Sequence, residues 1–129
     1  MRIEVTNTGT HYRAESSSGM VQEITVGADK PADDTTMNPV EMLASALGMC
    51  VAVMLRKHCE QSELACGEIQ IEVTAKYEEG AGAYKNLRMR AEVHGDWDDR
   101  RRAAFQRVAE KCPVGETIVN CSRIEIEIL

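Results

Sequence analysis

Two cysteines carry the chemistry open to this chain. Cys50 lies in the apolar run Asn38-Pro39-Val40-Glu41-Met42-Leu43-Ala44-Ser45-Ala46-Leu47-Gly48-Met49-Cys50, and Cys112 lies far downstream in Glu110-Lys111-Cys112-Pro113-Val114. Brought together, two thiols make a redox couple: one sulfur is oxidised, and the second condenses with it to a disulfide. Kept apart, they are small core residues, because free cysteine is among the most buried residue types. On spacing alone the core reading outweighs the catalytic one for Cys50. A reactive Cys50 must be a thiolate. It sits mid-helix, where no helix end lowers its pKa, so a cation from another element has to approach it. Arg13, in His11-Tyr12-Arg13-Ala14-Glu15, is one source; the simpler reading of Arg13 is an exposed strand residue. Glu41 suits a charge partner for such an arginine. It stands nine residues before Cys50, about two and a half helical turns, which puts the two on opposite faces. Its role in a helix cap needs no such contact.

Cys112 has two possible placements. At the end of a second helix, the carbonyl dipoles disfavour its thiolate; as the N-cap of a further turn begun by Pro113, its thiolate is favoured. The two predict opposite pKa shifts. A resolving cysteine tolerates either. Cys59 falls on the helix face opposite Cys50, near a polar helix end, and reads as incidental. Cys66 and Cys121 precede or start strands. Five cysteines is an odd count without the dense spacing of a secreted disulfide scaffold, so most are expected to be thiols in a reducing cytosol. Metal binding is weakly supported: no Cys-x-x-Cys pair occurs, and His11, His58 and His94 are scattered. No Ser-His-Asp order, glycine-rich phosphate loop or paired-carboxylate motif stands out.

The elements that must position these thiols follow from periodicity. The 129 residues are expected to form one domain, 1–129, with 43% apolar residues and only 4% aromatic ones, so the core is aliphatic and filled by methionine. A net charge of -6 argues against nucleic acid as a partner. The opening Met1-Arg2-Ile3-Glu4-Val5 alternates at once and does not read as a signal peptide. The longest apolar run, Met42 to Leu55, is interrupted by Ser45 and Gly48. A cytoplasmic protein with no membrane or nucleic-acid partner is the expectation.

Residues 2–7, 10–16 and 20–26 read as short strands separated by the turns Asn7-Thr8-Gly9, Ser17-Ser18-Gly19 and Gly27-Ala28-Asp29. A polar connection, 29–37, leads to the clearest helix. Asn38 suits its N-cap, Pro39 its first position and Glu41 the acid of a capping box. Its apolar stripe is Leu43, Ala46, Leu47, Cys50 and Met54, and it runs to about Gln61. Residues 68–78 alternate as a half-buried strand. Gly80-Ala81-Gly82 turns, and 84–94 return with Leu87, Met89, Ala91 and Val93 inward. Asp96 is placed to cap a second helix. Ala103, Ala104, Phe105, Val108 and Ala109 form its buried side, and Pro113 stops it. A short helical turn over 113–119 and a strand over 121–129 close the chain. The order βββ-α-ββ-α-β, with hairpins and therefore antiparallel pairing, is α+β. The long helix is more apolar than one small sheet covers, which points to an obligate dimer.

With these motifs on these elements, the chain resembles the OsmC/Ohr family of thiol-dependent hydroperoxide reductases. The resemblance rests on Asn38-Pro39-Val40-Glu41-Met42-Leu43 running to Ala46-Leu47-Gly48-Met49-Cys50, on Ala109-Glu110-Lys111-Cys112-Pro113-Val114, and on the element order. It covers nearly the whole chain. It implies an intertwined homodimer whose long central helices are wrapped by antiparallel sheets, with each active site at the subunit interface. It implies that Cys50 attacks a hydroperoxide and becomes a sulfenic acid, and that Cys112 resolves it to a disulfide. No bound cofactor is implied; an external dithiol reduces the disulfide. Two departures concern the machinery around the thiolate. Val40 directly follows the Asn-Pro pair where the organic-hydroperoxide branch has an acid, with Glu41 one position later. No glycine-rich early loop bearing an arginine is evident, and Tyr12-Arg13-Ala14-Glu15-Ser16-Ser17-Ser18-Gly19 is more similar to the poorly characterised OsmC-like branch. The expected function is reduction of organic or hydrogen peroxides in stress defence, with Cys50, Cys112, Glu41 and Arg13 as candidate catalytic residues. The alternative is non-enzymatic binding of a small hydrophobic molecule in the dimer-interface pocket.

Overall fold

The computed structural model describes residues 1–27 and 30–129. The expected turn at Gly27-Ala28-Asp29 and the start of the polar connection at Asp29 therefore lie partly outside the described residues. Contacts divide the chain into two compact units, Met1–Met42 and Leu43–Leu129.

The first unit is an antiparallel meander of β1 (Ile3–Thr8), β2 (His11–Ser16) and β3 (Val21–Thr25), in that spatial order. The register pairs Val5 with Ala14 and Arg13 with Glu23. The tight turn between β1 and β2 places Gly9 at φ +60°, where a side chain is disfavoured. The unit also holds the start of helix α1 (Pro39–Gln61). Its capping box forms as expected: Asn38 Oδ1 accepts from the Glu41 N–H at 2.9 Å, and Glu41 Oε2 accepts from the Asn38 N–H at 2.8 Å.

The second unit contains the body of α1, the hairpin β4 (Ile69–Glu78) and β5 (Ala83–Val93), and helices α2 (Asp99–Glu110) and α3 (Pro113–Asn120). Its core is Val51, Leu55, Cys59, Phe105 and Cys112. The buried face of α1 is rotated from the expected stripe. Gly48, Val51, Leu55 and Cys59 are buried, whereas Leu43 is half exposed. Gly48 is the physical reason. A Cβ there would stand 3.3 Å from Val73 Cγ2 and 3.5 Å from Ile71 Cγ2, so its absence lets β4 settle on that face of the helix. Cys50 is left at the edge of the contact, half-buried.

The hairpin alternates only in its inner half. Ile69, Ile71, Val73, Met89 and Val93 are partly buried; Ala75, Tyr77, Leu87 and Ala91 are exposed. The pairing is interrupted between Thr74 and Lys76, and beyond it the Tyr77 and Tyr84 rings pack edge to face on each other at 5.3 Å. Arg90 lies opposite Glu72, and Arg88 lies opposite Thr74.

Three further elements differ from expectation. Helix α2 is capped by Asp98, whose Oδ1 accepts from the Arg101 N–H at 2.8 Å, and not by Asp96. The intervening residues are taken by Trp97: its indole N–H donates to the Val93 carbonyl at 2.8 Å, and its ring fills the space where a Cβ of Gly95 would be. Ala103 on α2 is exposed, because the core contact is made by Phe105 with Val108 and Ala109. Residues 113–119 grow into the eight-residue α3, and residues 121–129 form no strand among the described residues. A strand needs a sheet edge to pair with. Ile124, Ile126 and Ile128 instead stand about four-fifths or more exposed, at 81%, 80% and 89%.

Cys59 is not incidental. It is 1% exposed and disulfide-bonded to Cys66, with Cα atoms 6.1 Å apart. The chain doubles back through Glu63 at φ +52°, and the Leu64 N–H donates to the Cys59 carbonyl at 2.9 Å, which carries Cys66 beside the helix end. Arg56 ties down the same loop by donating to the carbonyls of Cys66 at 3.1 Å and Gly67 at 2.6 Å.

Candidate functional site

Cys50 and Cys112 meet within the second unit. Helix α2 ends at Glu110, Lys111 caps it, and the Cys112 N–H donates to the Ala109 carbonyl at 3.3 Å. Pro113 then starts α3, and the Cys112 carbonyl accepts from the Glu116 N–H at 2.9 Å. Of the two placements open in the sequence, the structure selects the N-cap of α3. Both cysteines are free thiols, Cys112 buried at 2% exposure and Cys50 packed at the margin of the same cluster.

The electrostatics of Cys112 follow from this position. Burial raises its pKa first, because a thiolate loses its hydration there. The hydrogen bond with the Cys50 thiol raises it further. The Gly115 and Val114 amides at the start of α3 pull the other way, as a helix N-terminus should. Neither closes a conventional capping hydrogen bond to the neutral thiol, and burial outweighs them. Cys112 is therefore held as a thiol that touches the Cys50 sulfur, an arrangement suited to a second sulfur that reacts only after the first is oxidised.

The other two candidates belong to the first unit and are engaged there. Arg13 pairs with Glu15 on its own strand, and its Nε lies 3.6 Å from Glu23 Oε1 on β3. That is the exposed-strand reading rather than the activating one. Glu41 is committed to the α1 cap.

A cavity of about 620 Å³ in the second unit reaches Cys112, while Cys50 does not line it. Leu47, Val51, Met89, Trp97, Phe105 and Cys112 supply much of its wall. Its size is that of a small-molecule site. The Trp97 ring packs edge to face on Phe105 at 5.3 Å, and Phe105 in turn on His58 at 5.8 Å. Reading the sequence missed the aromatic part of this wall. The available signal was Gly95-Asp96-Trp97: the chain's one tryptophan follows a glycine whose φ of +155° leaves room for its ring.

Comparisons with known proteins bear on the family and the fold. The family model described as OsmC-like protein matches residues 32–127. Among solved structures, the chain is similar to an OsmC-like protein from Mycoplasma pneumoniae, with 18% identity and a TM-score of 0.70, covering 95% of this chain and 90% of that one. It is similar to the organic hydroperoxide resistance protein OhrB of Bacillus subtilis, with 21% identity and a TM-score of 0.60, covering 93% and 92%. An OsmC-like protein of unknown function from Vibrio cholerae matches with 12% identity and a TM-score of 0.63, covering 90% and 91%. At these identities the likeness is one of fold. None of the curated proteins matches the sequence.

Proposed function

The chain belongs to the OsmC-like protein family, and we propose that it is a thiol-dependent peroxidase that reduces organic hydroperoxides, and hydrogen peroxide less readily, through Cys50 and Cys112. The observation that carries this reading is the contact of two free thiols, from α1 and from the α2–α3 junction, inside one unit. The Cys50 thiolate attacks the terminal oxygen of the hydroperoxide. The O–O bond breaks, the alkoxide takes a proton and leaves as the alcohol, and Cys50 becomes a sulfenic acid. Cys112 sulfur then attacks Cys50 sulfur, the S–O bond breaks, and water leaves with the Cys112 proton. An external dithiol reduces the disulfide and is itself oxidised to a disulfide. A cytoplasmic setting with a supply of dithiol, and a role in peroxide stress, belong to the same reading.

A homodimer is also part of the proposal. Leu43, Met49 and Val53 leave an exposed apolar strip on α1, and Ile124, Ile126 and Ile128 are equally exposed. A second copy would cover both. Purified protein with a dithiol and cumene hydroperoxide tests the peroxidase directly. Turnover is expected in the native protein and lost in Cys50→Ser; turnover unaffected by that substitution sinks the assignment. The cavity supports a second reading, in which an apolar molecule is bound and not transformed. Mass spectrometry of the native protein showing a retained ligand, with no peroxide consumed, favours that alternative.

A further inference from the structure

The Cys59–Cys66 disulfide joins two sulfurs in unlike surroundings. Cys59, in the last turn of α1, is 1% exposed and belongs to the core with Val51, Leu55 and Phe105. Cys66 is only partly buried, and its loop neighbours Ser62, Glu63, Ala65 and Gly67 are exposed. The loop is held in a costly shape: Glu63 has φ +52°, in the left-handed region that a residue with a side chain seldom adopts. The loop also grips the end of β5. The Gly67 N–H donates to the His94 carbonyl at 2.7 Å, and the His94 N–H donates to the Glu68 carbonyl at 2.9 Å. A Cβ on Gly67 would stand 3.0 Å from His94 Cβ, so the two backbones are in close contact. Beyond these ties and the two from Arg56, Leu64 is the only large apolar side chain that anchors the loop. A segment with so little buried surface opens locally at low cost once its cross-link is gone.

From this asymmetry we infer that Cys59–Cys66 is a second redox site, separate from the Cys50 and Cys112 pair: a latch that a small dithiol opens at Cys66, releasing the loop over 62–67 and its grip on the end of β5. A thiolate of the dithiol attacks the Cys66 sulfur, because the Cys59 sulfur is enclosed by the core. The S–S bond breaks, and Cys59 leaves as a thiolate that takes a proton. The second thiolate of the dithiol then attacks its own sulfur in the mixed disulfide. Cys66 is freed and protonated, and the dithiol departs as a cyclic disulfide. A small disulfide runs the exchange backwards and closes the latch. Cys59 keeps its place in the core, so Cys66 is the half that moves. Opening also removes the bond that opposes relief of the Glu63 conformation. The core does not depend on the loop, so the fold persists and the frequency of loop opening is what changes. These two cysteines take no part in the peroxidase reading, and the inference is independent of it.

The test uses the full chain carrying Cys50→Ser and Cys112→Ser. Cys121, an exposed free thiol, is blocked first with N-ethylmaleimide. The folded protein is treated with dithiothreitol and quenched with iodoacetamide, and its peptides are read by mass spectrometry. Cys59 and Cys66 are expected to become alkylated together, at a rate proportional to dithiothreitol concentration, as direct attack on the folded state requires. Replacing dithiothreitol by glutathione disulfide is expected to restore the cross-link. Hydrogen exchange then reads the latch itself. The amides of Leu64, Gly67 and His94 are expected to exchange at least about tenfold faster in the reduced protein, with a ceiling of about sixtyfold from the closure entropy of a loop of about eight residues. Cys66→Ala is expected to show the same fast exchange without dithiothreitol and no further response to it. Opening at a rate independent of dithiothreitol overturns the inference, since the bond would then be reached only through unfolding. So does exchange at these three amides that reduction leaves unchanged. Loss of the circular dichroism signal on reduction overturns it as well, because the disulfide would then be a staple of the whole fold.

Discussion

Replacing Cys66 by alanine removes the only cross-link between the end of α1 and the start of β4 among the described residues. The half-cystines are separated by seven positions in sequence, so the closed loop is short. In the chain-entropy treatment, closing a loop of about eight residues takes roughly 8 cal/mol/K from the unfolded state, or about 2.5 kcal/mol at 25 °C. For a chain between the size classes for which the scaling is known, that is about 10 °C in Tm. The loop has other ties, from Arg56 to the Cys66 and Gly67 carbonyls and from Gly67 to the His94 carbonyl. These keep the native geometry after the bond is lost, so the loss is expected in stability and not in fold. The assay is thermal unfolding followed by Trp97 emission, which reports the second unit, in a Cys50→Ser/Cys112→Ser background where the proposed catalytic pair cannot interfere. Excess dithiol added to the parent and the Cys66→Ala substitution should lower Tm by the same amount, and dithiol should then do nothing further to the variant. Cys59→Ala should cost more than Cys66→Ala, since Cys59 is 1% exposed and its truncation leaves a hole in the core. A Tm within about 2 °C of the parent for both variant and reduced protein would refute the reasoning.

Leu55 is 1% exposed in the same cluster, and Leu55→Ala is expected to cost about 3–4 kcal/mol by urea denaturation. Asn38→Ala removes one arm of the α1 capping box and should cost about 1 kcal/mol, with Asn38→Asp close to neutral. The Cys112 pKa is raised by burial and by the Cys50 thiol, so the folded state holds its proton more tightly than the unfolded chain does. That contribution is complete below the ordinary thiol pKa of about 8.5 and is lost as pH rises through the raised folded value. In reduced protein, stability should therefore fall relative to Cys112→Ser as pH climbs from 8 to 10; parallel curves for the two proteins would show that Cys112 is not held as a thiol.

Local chemistry was the legible part of the fold. The Asn38/Glu41 box, Pro39 at the start of α1, the three early strands and the β4–β5 hairpin follow from groups that act on near neighbours in sequence. The failures share a cause, which is packing between distant segments. Asp96 and Asp98 are equally good caps by type, and only the seating of Trp97 under Gly95 decides for Asp98. Residues 121–129 alternate as a strand should, but alternation is only half of a strand; the other half is a partner edge, which this chain does not supply to them among the described residues.

The same logic governs the cysteines. On a helix this apolar, periodicity favoured the stripe through Cys50 and left Cys59 on the opposite face. One missing Cβ reverses that choice. Gly48 admits Val73 and Ile71 against the backbone of α1, which turns Val51, Leu55 and Cys59 into the core and rotates Cys50 to its margin. A reactive thiol needs that margin: fully buried it resists ionisation, and fully exposed it has no fixed second sulfur. Cys112 reaches the same point from the other side, because Pro113 ends one helix and begins the next at the turn where the sulfur enters the core. Gly48→Ala is therefore a test of the site as well as of packing. A Cβ 3.3 Å from Val73 Cγ2 and 3.5 Å from Ile71 Cγ2 is tight enough to push β4 outward by a few tenths of an ångström. The expected cost is about 1–3 kcal/mol in stability, together with slower formation of the Cys50–Cys112 disulfide after one equivalent of hydroperoxide, read by mass spectrometry of alkylated peptides. A variant that loses stability yet forms the disulfide at the native rate would mean that the β4 contact packs the helix without setting the position of its thiol.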